Sequence, residues 1–513
     1  MQMCQLTRDN FDSIKDHPIY LAAYSEYYLG ELCDEYDILN NICGGFDGLP
    51  HRQGMKHFRG HDIEIRGYDA LPTLTNGAVI LIAESYIRER FEQLRNNTAV
   101  NQKLKKVYYY ADKEFLIEQK YREHYQTTPL KNIILFRGGN PSSTYVKGED
   151  LSDNVRALLE YMLEENLDVK YQLVCLVNYP KDYTDRYKGH NVSFMAYTGA
   201  TSNNKIERDA YYEVLCLASY IFATHTMIFA RNARKDQTRV QLWHGCGFKL
   251  NHIAEAMRDE NKYEYMTVTS KMYARLHAKD MGLRDNQILV TGLPKEDFLF
   301  RPMQDWKERF NIPHAKIYVF WLPTWRESHF AGQPTETTLN IATGLPIFST
   351  FKSLDELNKK LCNINTVLII KPHPMQKDLN ISCDKFTNIL MLHNNALANQ
   401  CVFINELLGY ADALISDYSS VAVDYMLLDR PIAFTLDDCA EYTVSRGFHW
   451  SNIRQWLPGE ELFTTEDFFR FITDVYNGKD NSQAKRHALM PYFHSFADGN
   501  NSQRVLNALG IKG

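Results

Sequence analysis

Short apolar runs recur along the chain, each ending in polar or glycine-rich residues and followed by a stretch with helical spacing. They fall at 19–23, 38–43 and 78–83, then at 132–136, 171–177, 220–223 and 239–243, then at 316–321, 366–370, 388–392, 413–415 and 431–434. Runs this short and this uniformly apolar suit strands buried on both faces. The intervening segments suit covering helices; Val155, Leu158, Leu159 and Met162, for example, share one helical face. Strands alternating with helices predict an α/β protein built on parallel sheets. The pattern restarts near 129 and again near 301, which predicts three units: 1–128, 129–300 and 301–513. In the first, the turn after the first apolar run (23–28) has no glycine, so a dinucleotide pyrophosphate would meet side chains there. That unit is expected to be a degenerate Rossmann-like domain. Within it, Lys103, Lys105, Lys106, Tyr108, Tyr109 and Tyr110 suggest a solvated helix or a surface contact.

Polar clusters at strand ends carry the candidate chemistry, because open α/β sheets bind ligands at the carboxyl ends of their strands. After the run at 413–415 come Ser416, Asp417, Ser419 and Ser420, then a helix with Val421, Val423, Tyr425, Met426 and Leu428 on its apolar side. Backbone N–H groups at such a helix start suit a phosphate. The same residue types are also ordinary helix caps, so capping and phosphate binding both fit. His244 follows Trp243 at a strand end and precedes Gly245, with Lys249 beyond. An imidazole there has the right pKa to accept a proton, or serves as a structural hydrogen-bonder. His373 stands between Pro372 and Pro374, which stiffen its loop, directly after Lys371. Arg326 follows another strand end; its planar fork fits a phosphate or a surface carboxylate.

Length and charge narrow the classes. A chain of 513 residues, 44% hydrophobic and 23% charged, has the composition of a multidomain globular protein. A net charge of -6 gives no general attraction to nucleic acid. Ten scattered cysteines without CxxC spacing point to reduced thiols and a cytoplasmic location. No apolar run reaches the roughly 20 residues of a membrane-spanning helix. No DxD-type pair stands at a strand end, and adjacent Asp437 and Asp438 point apart in an extended chain, so no motif requires a divalent metal or another cofactor.

The ordered motifs VQLWHGCGFK (240–249), GLPKEDFL (292–299), LPTWRE (322–327), IIKPHP (369–374), ISDYSSVAVDYMLLDRPIAF (415–434) and SRGF (445–448), with DGNNSQRV (498–505) closing the chain, resemble the CDP-glycerol glycerophosphotransferase family. The resemblance to these teichoic-acid and capsule polyol-phosphate transferases covers about 130–513. It implies a GT-B-like fold: two Rossmann-like domains facing a cleft, here preceded by the small N-terminal Rossmann-like domain, with 129–300 taking the acceptor and 301–513 the CDP donor. It implies transfer of glycerol phosphate, or a related polyol phosphate, from a CDP-activated donor to an acceptor hydroxyl, releasing CMP. On that reading His244 is the general base and His373 the second catalytic histidine. Arg326, Lys371, Ser416, Asp417, Ser419, Ser420 and Arg446 bind donor phosphate or nucleotide, and Lys249 and Trp243 contact acceptor or phosphate. Gly292, Lys295 and Asp297 match the family's interdomain turn, with hinge or nucleotide contacts. The implied partners are CDP-glycerol or CDP-ribitol and a lipid-linked glycan or polyol-phosphate polymer, met peripherally at the inner membrane face. A GT-B nucleotide-sugar glycosyltransferase or a UDP-sugar 2-epimerase-like enzyme is the alternative.

Overall fold

Among the described residues the apolar runs pair into three sheets in chain order. The structure is a computed structural model that describes all residues except 48–52, 75–76, 85–86, 139–149, 225–232, 251–262, 325–342, 374–384 and 446. The first sheet comprises β1 (Gln2–Gln5), β2 (Ile19–Leu21), β3 (Ile42–Phe46), β4 (Gly54–Phe58), β5 (His61–Arg66), β6 (Val79–Ile82) and β7 (Lys106–Tyr109). Its order is β1-β7-β6-β2-β3-β5-β4, parallel except for the β4–β5 hairpin. The hairpin was not legible as strand because β5 buries alternate residues only, Ile63 and Ile65. Of the basic, tyrosine-rich stretch expected as a solvated helix or surface contact, Lys103 ends the helix Thr98–Lys103, whereas 106–109 supply β7, in which Val107 and Tyr108 are buried.

The helix Lys113–His124, capped by the Asp112 carboxylate accepting from the Phe115 N–H, leads into the second unit. It packs there on the helix Lys205–Leu217, with Tyr121 stacked on Tyr212 at 4.5 Å between centroids. The second sheet runs β8 (Lys131–Arg137), β9 (Gln172–Val177), β10 (Val192–Ala196), β11 (Ala218–Ala223), β12 (Thr238–Gln241), β13 (Tyr265–Val268) and β14 (Ile288–Val290). The third runs β15 (Ile317–Trp321), β16 (Thr366–Ile370), β17 (Ile389–Met391), β18 (Ala413–Ser416), β19 (Ile432–Thr435) and β20 (Glu460–Leu462). Their orders, β10-β9-β8-β11-β12-β13-β14 and β17-β16-β15-β18-β19-β20, are parallel throughout. Each reverses direction of growth once, between β8 and β11 and between β15 and β18, the places where such sheets open a crevice.

The two parallel sheets share one core. Cys246, Phe248 and Tyr273 from the second unit pack with Tyr418, Phe434 and Phe493 from the third, and Phe248 meets Phe434 and Phe493 edge-on at 6.0 and 5.8 Å. The 3-10 turn Pro294–Phe300 lies between them against the helices Asp153–Glu164, Ile404–Leu408 and Asn501–Ala508. The last of these helices crosses back, burying Val505 and Leu506 in the core of the second sheet. No helix among the described residues is long and apolar enough to cross a membrane.

Candidate functional site

β12 stops two residues short of the strand expected at 239–243, because the chain turns left-handed at Trp243 (φ 60°) and takes a positive φ again at Gly245 (156°). A left-handed tryptophan costs about 1–3 kcal/mol and persists only where its surroundings hold it. Here the Trp243 N–H donates to Gln241 Oε1 at 3.0 Å, and its carbonyl accepts from Asn154 Nδ2 at 2.8 Å. The turn leaves His244 exposed, with the half-buried Trp243 ring 4.2 Å from the imidazole. Behind Trp243 lies His277, edge-on at 5.9 Å. Burial, aided by His449, pushes His277 down to about 3, so it is a neutral wall to the tryptophan.

This loop meets the third unit backbone-first. A Cβ on Gly245 would lie 2.4 Å from Ser420 Oγ, and one on Gly247 3.0 Å from Ser420 Cβ. Lys249 forms an antiparallel bridge with Phe448. Beside it the Leu250 N–H donates to the Gly447 carbonyl at 3.3 Å and the His449 N–H to the Phe248 carbonyl at 3.0 Å. Lys249 Nζ sits 5.2 Å from the Tyr442 ring, itself packed on Tyr418 and Phe448.

On the facing sheet edge the polar residues divide by role. Ser416 is buried and donates to the Leu322 carbonyl at 2.9 Å. Asp417 is buried and its Oδ2 accepts from the N–H and hydroxyl of Thr324 at 2.7 and 2.8 Å, tying β18 to β15 across the switch point. Asp417 therefore staples two strand ends and does not cap the helix that follows. Ser419 and Ser420 are half-buried, beside a helix (Val421–Tyr425) of five residues. Lys371 is buried, with Nζ donating to the Pro372 carbonyl at 3.2 Å. His373 is held well below the ordinary histidine value, first by burial and then by the positive charges of Lys249 and Lys371. It is neutral at pH 7. The charges of Lys249, from the second unit, and Lys371, from the third, both act on this imidazole. Arg326 and Arg446 lie outside the described residues, as does most of the insertion after Ser328. Among the described residues no cluster of His, Cys, Asp and Glu could hold a metal ion. Asp437 accepts from the Ile347 N–H at 2.9 Å and Asp438 from the Tyr418 hydroxyl at 3.1 Å.

Beneath the loops lies a buried charged cluster that the sequence showed only in part. Lys295 Nζ donates to the His244 carbonyl at 2.9 Å and pairs with Asp424 Oδ2 at 2.9 Å. Its backbone N–H donates to Asn154 Oδ1, also at 2.9 Å. Burial opposes the ammonium charge, but Asp424 and Asp153 outweigh it and hold Lys295 above its usual value. Asp153 is pushed up to about 7 by burial, against the pull of Lys295. Asp297 accepts from the N–H groups of Asn501 and Ser502, both at 2.8 Å, fixing the terminal helix. The signal for Lys295 was its motif; Asn154 and Asp424 looked like ordinary helix residues, and only the tertiary contact reveals them.

Known proteins resemble this chain in sequence and in fold. Residues 142–510 match the family model described as CDP-glycerol:poly(glycerophosphate) glycerophosphotransferase. A teichoic acid glycerol-phosphate primase of Bacillus subtilis (strain 168) is 27% identical over 58% of this chain and 72% of its own length. The teichoic acid ribitol-phosphate polymerase TarK of Staphylococcus aureus (strain NCTC 8325 / PS 47) is 23% identical over 70% of this chain and 66% of its own. Among solved structures, the wall teichoic acid polymerase TagF superposes with a TM-score of 0.57 at 20% identity, covering 77% of this chain and 93% of that one. The last likeness is one of fold, and the fold is GT-B-like.

Proposed function

The chain belongs to the CDP-glycerol:poly(glycerophosphate) glycerophosphotransferase family, and from that premise we propose that it moves glycerol phosphate, or a related polyol phosphate, from a CDP-activated donor to a hydroxyl of a teichoic or capsular polymer, releasing CMP. What supports this reading is the close approach of the His244 turn to the Ser420 loop and the bridge from Lys249 to Phe448, which bring segments of both parallel sheets together, with the charges of Lys249 and Lys371 both acting on His373. Phosphoryl transfer asks mainly for positioning and for charge around the phosphate oxygens. His244 takes the acceptor proton as the hydroxyl attacks the β-phosphorus, and the bond to the CMP oxygen breaks. A base of this kind contributes about 10²–10⁴-fold. Neutral His373 donates a hydrogen bond to the donor phosphates, while Lys249 and Lys371 balance their charge. Trp243 forms the acceptor side. Arg326 and Arg446 add donor contacts on the strength of their motifs. Ser416 and Asp417 act on the donor through the loop that they hold in place. The acceptor assigned is a growing, lipid-linked polymer, which brings the protein to the inner membrane face; co-sedimentation with acceptor-loaded vesicles but not bare ones is the expected check.

The test is CMP release from CDP-glycerol and CDP-ribitol, with and without polymer acceptor, for wild type, His244→Ala and His373→Ala. Acceptor-dependent release that drops about 10²-fold or more in His244→Ala supports the assignment. Absence of CMP from both donors, with a UDP-sugar bound instead, defeats it.

A further inference from the structure

We propose that Lys295 is a positioning residue for the transfer reaction: its ammonium fixes the His244 turn against the Ser420 loop by holding the His244 carbonyl and Asp424 at once. This rests on the functional reading above and adds to it a residue outside the cleft. Three observations carry it. The first is the bonding: Nζ reaches the carbonyl of His244 and the carboxylate of Asp424 at 2.9 Å each, so one charge joins a loop of the second unit to a helix of the third. The second is the backbone it holds. Trp243 and Gly245 flank His244, both at positive φ, and such a turn relaxes unless external contacts define it. Two successive carbonyls are tied from outside, Trp243 by Asn154 and His244 by Lys295, and Asn154 is itself held by the Lys295 N–H. The backbone of Lys295 thus supports the first tie and its ammonium makes the second. The third is closeness: a Cβ on Gly245 would fall 2.4 Å from Ser420 Oγ and 3.6 Å from Lys295 Nζ, so imidazole turn, serine loop and ammonium meet at one point.

A plain buried ion pair would act on stability alone. Removing one partner leaves the other charge uncompensated, whereas removing both restores stability. Positioning predicts something different, since a neutral pair still lacks the donor to the His244 carbonyl. A displacement of about 1 Å at a reacting group can lower turnover about 10²-fold.

The experiment compares wild type, Lys295→Met and Lys295→Met/Asp424→Asn. The double variant keeps the test informative if the single one fails to fold. Expected is a double variant that melts within a few degrees of wild type, with kcat for CMP release lowered about 30- to 100-fold and donor KM changed less than about threefold. Hydrogen exchange of the amides at 243–248 reads the tie without reference to the reaction, and is expected to quicken at least about tenfold in the double variant. A well-folded double variant with wild-type kcat and unchanged exchange overturns the proposal, as does a loss appearing only in donor KM. Wild type that releases no CMP from either donor, with exchange quickened as expected, defeats the functional reading and leaves the tie standing.

Discussion

His277 packs behind Trp243 as a neutral ring, and this has a consequence for acid stability. Its folded pKa, about 3, lies below the unfolded value near 6.5. As pH falls below 6.5 the unfolded chain takes up a proton that the folded one refuses, so stability is complete above 6.5 and declines towards 3. Between pH 6.5 and 5 the loss is about 2 kcal/mol from this residue. Denaturant titrations across that range are expected to show His277→Leu losing correspondingly less than wild type. Asp417 offers a second test. Removing its carboxylate takes two hydrogen bonds from buried Thr324, so Asp417→Ala should lower unfolding free energy by about 1–3 kcal/mol, seen as a shifted midpoint at unchanged denaturant slope. Ser416 and Asp417 also mark where residue-level reading ends. In the sequence they are indistinguishable from Ser419 and Ser420; what sorts them is Leu322 and Thr324, nearly a hundred positions away.

At the level of elements, the strands following 129 were legible because burial on both faces makes them continuously apolar, and β8, β9, β15, β16 and β18 stand where the runs predicted. The half-exposed hairpin β4–β5 lacked that signature. The short helix after β18 bears on function. With five residues (Val421–Tyr425) it has too few aligned peptides to build a full end charge, so on the proposed reading donor phosphates would depend more on lysines than the motif alone suggested. Lys249 is fixed by its bridge to Phe448, and its charge acts on His373. Replacing it with glutamine removes one charge-assisted contact, worth about 1.5–3 kcal/mol. Donor KM for Lys249→Gln is accordingly expected to rise about tenfold or more, with kcat less affected; a change confined to kcat would place Lys249 on the acceptor instead.

The three units of the whole molecule are joined unequally, and this predicts how the chain can be cut. The two parallel sheets share a core and exchange a terminal helix, so neither is expected to fold without the other. The first sheet lies outside the family match, which begins at 142, but the helix that leaves it does not behave as a linker. In Lys113–His124, Tyr121 stacks on Tyr212, and buried Arg122 donates to Gln237 Oε1 at 2.9 Å. Gln237 in turn donates to the carbonyls of Leu215 and Ala218, both at 2.9 Å, while Arg234 donates to those of Tyr125 and Thr128 at 2.9 and 2.6 Å. The helix is therefore part of the second unit's surface, and the cut that matters falls before it. A chain starting at Asp112 keeps the cap and these contacts, and should release CMP within a fewfold of the full chain. A chain starting at Thr128 uncovers Tyr212 and takes the Arg122 donor from Gln237 Oε1, which keeps the Arg234 N–H at 3.1 Å, at about 0.5–1.5 kcal/mol for the lost bond beyond the lost apolar burial. It is expected to melt several degrees lower and to aggregate. Melting and donor turnover of the two truncations separate the alternatives: equal behaviour would make the helix a tether, whereas stability lost only in the shorter chain assigns it to the catalytic body.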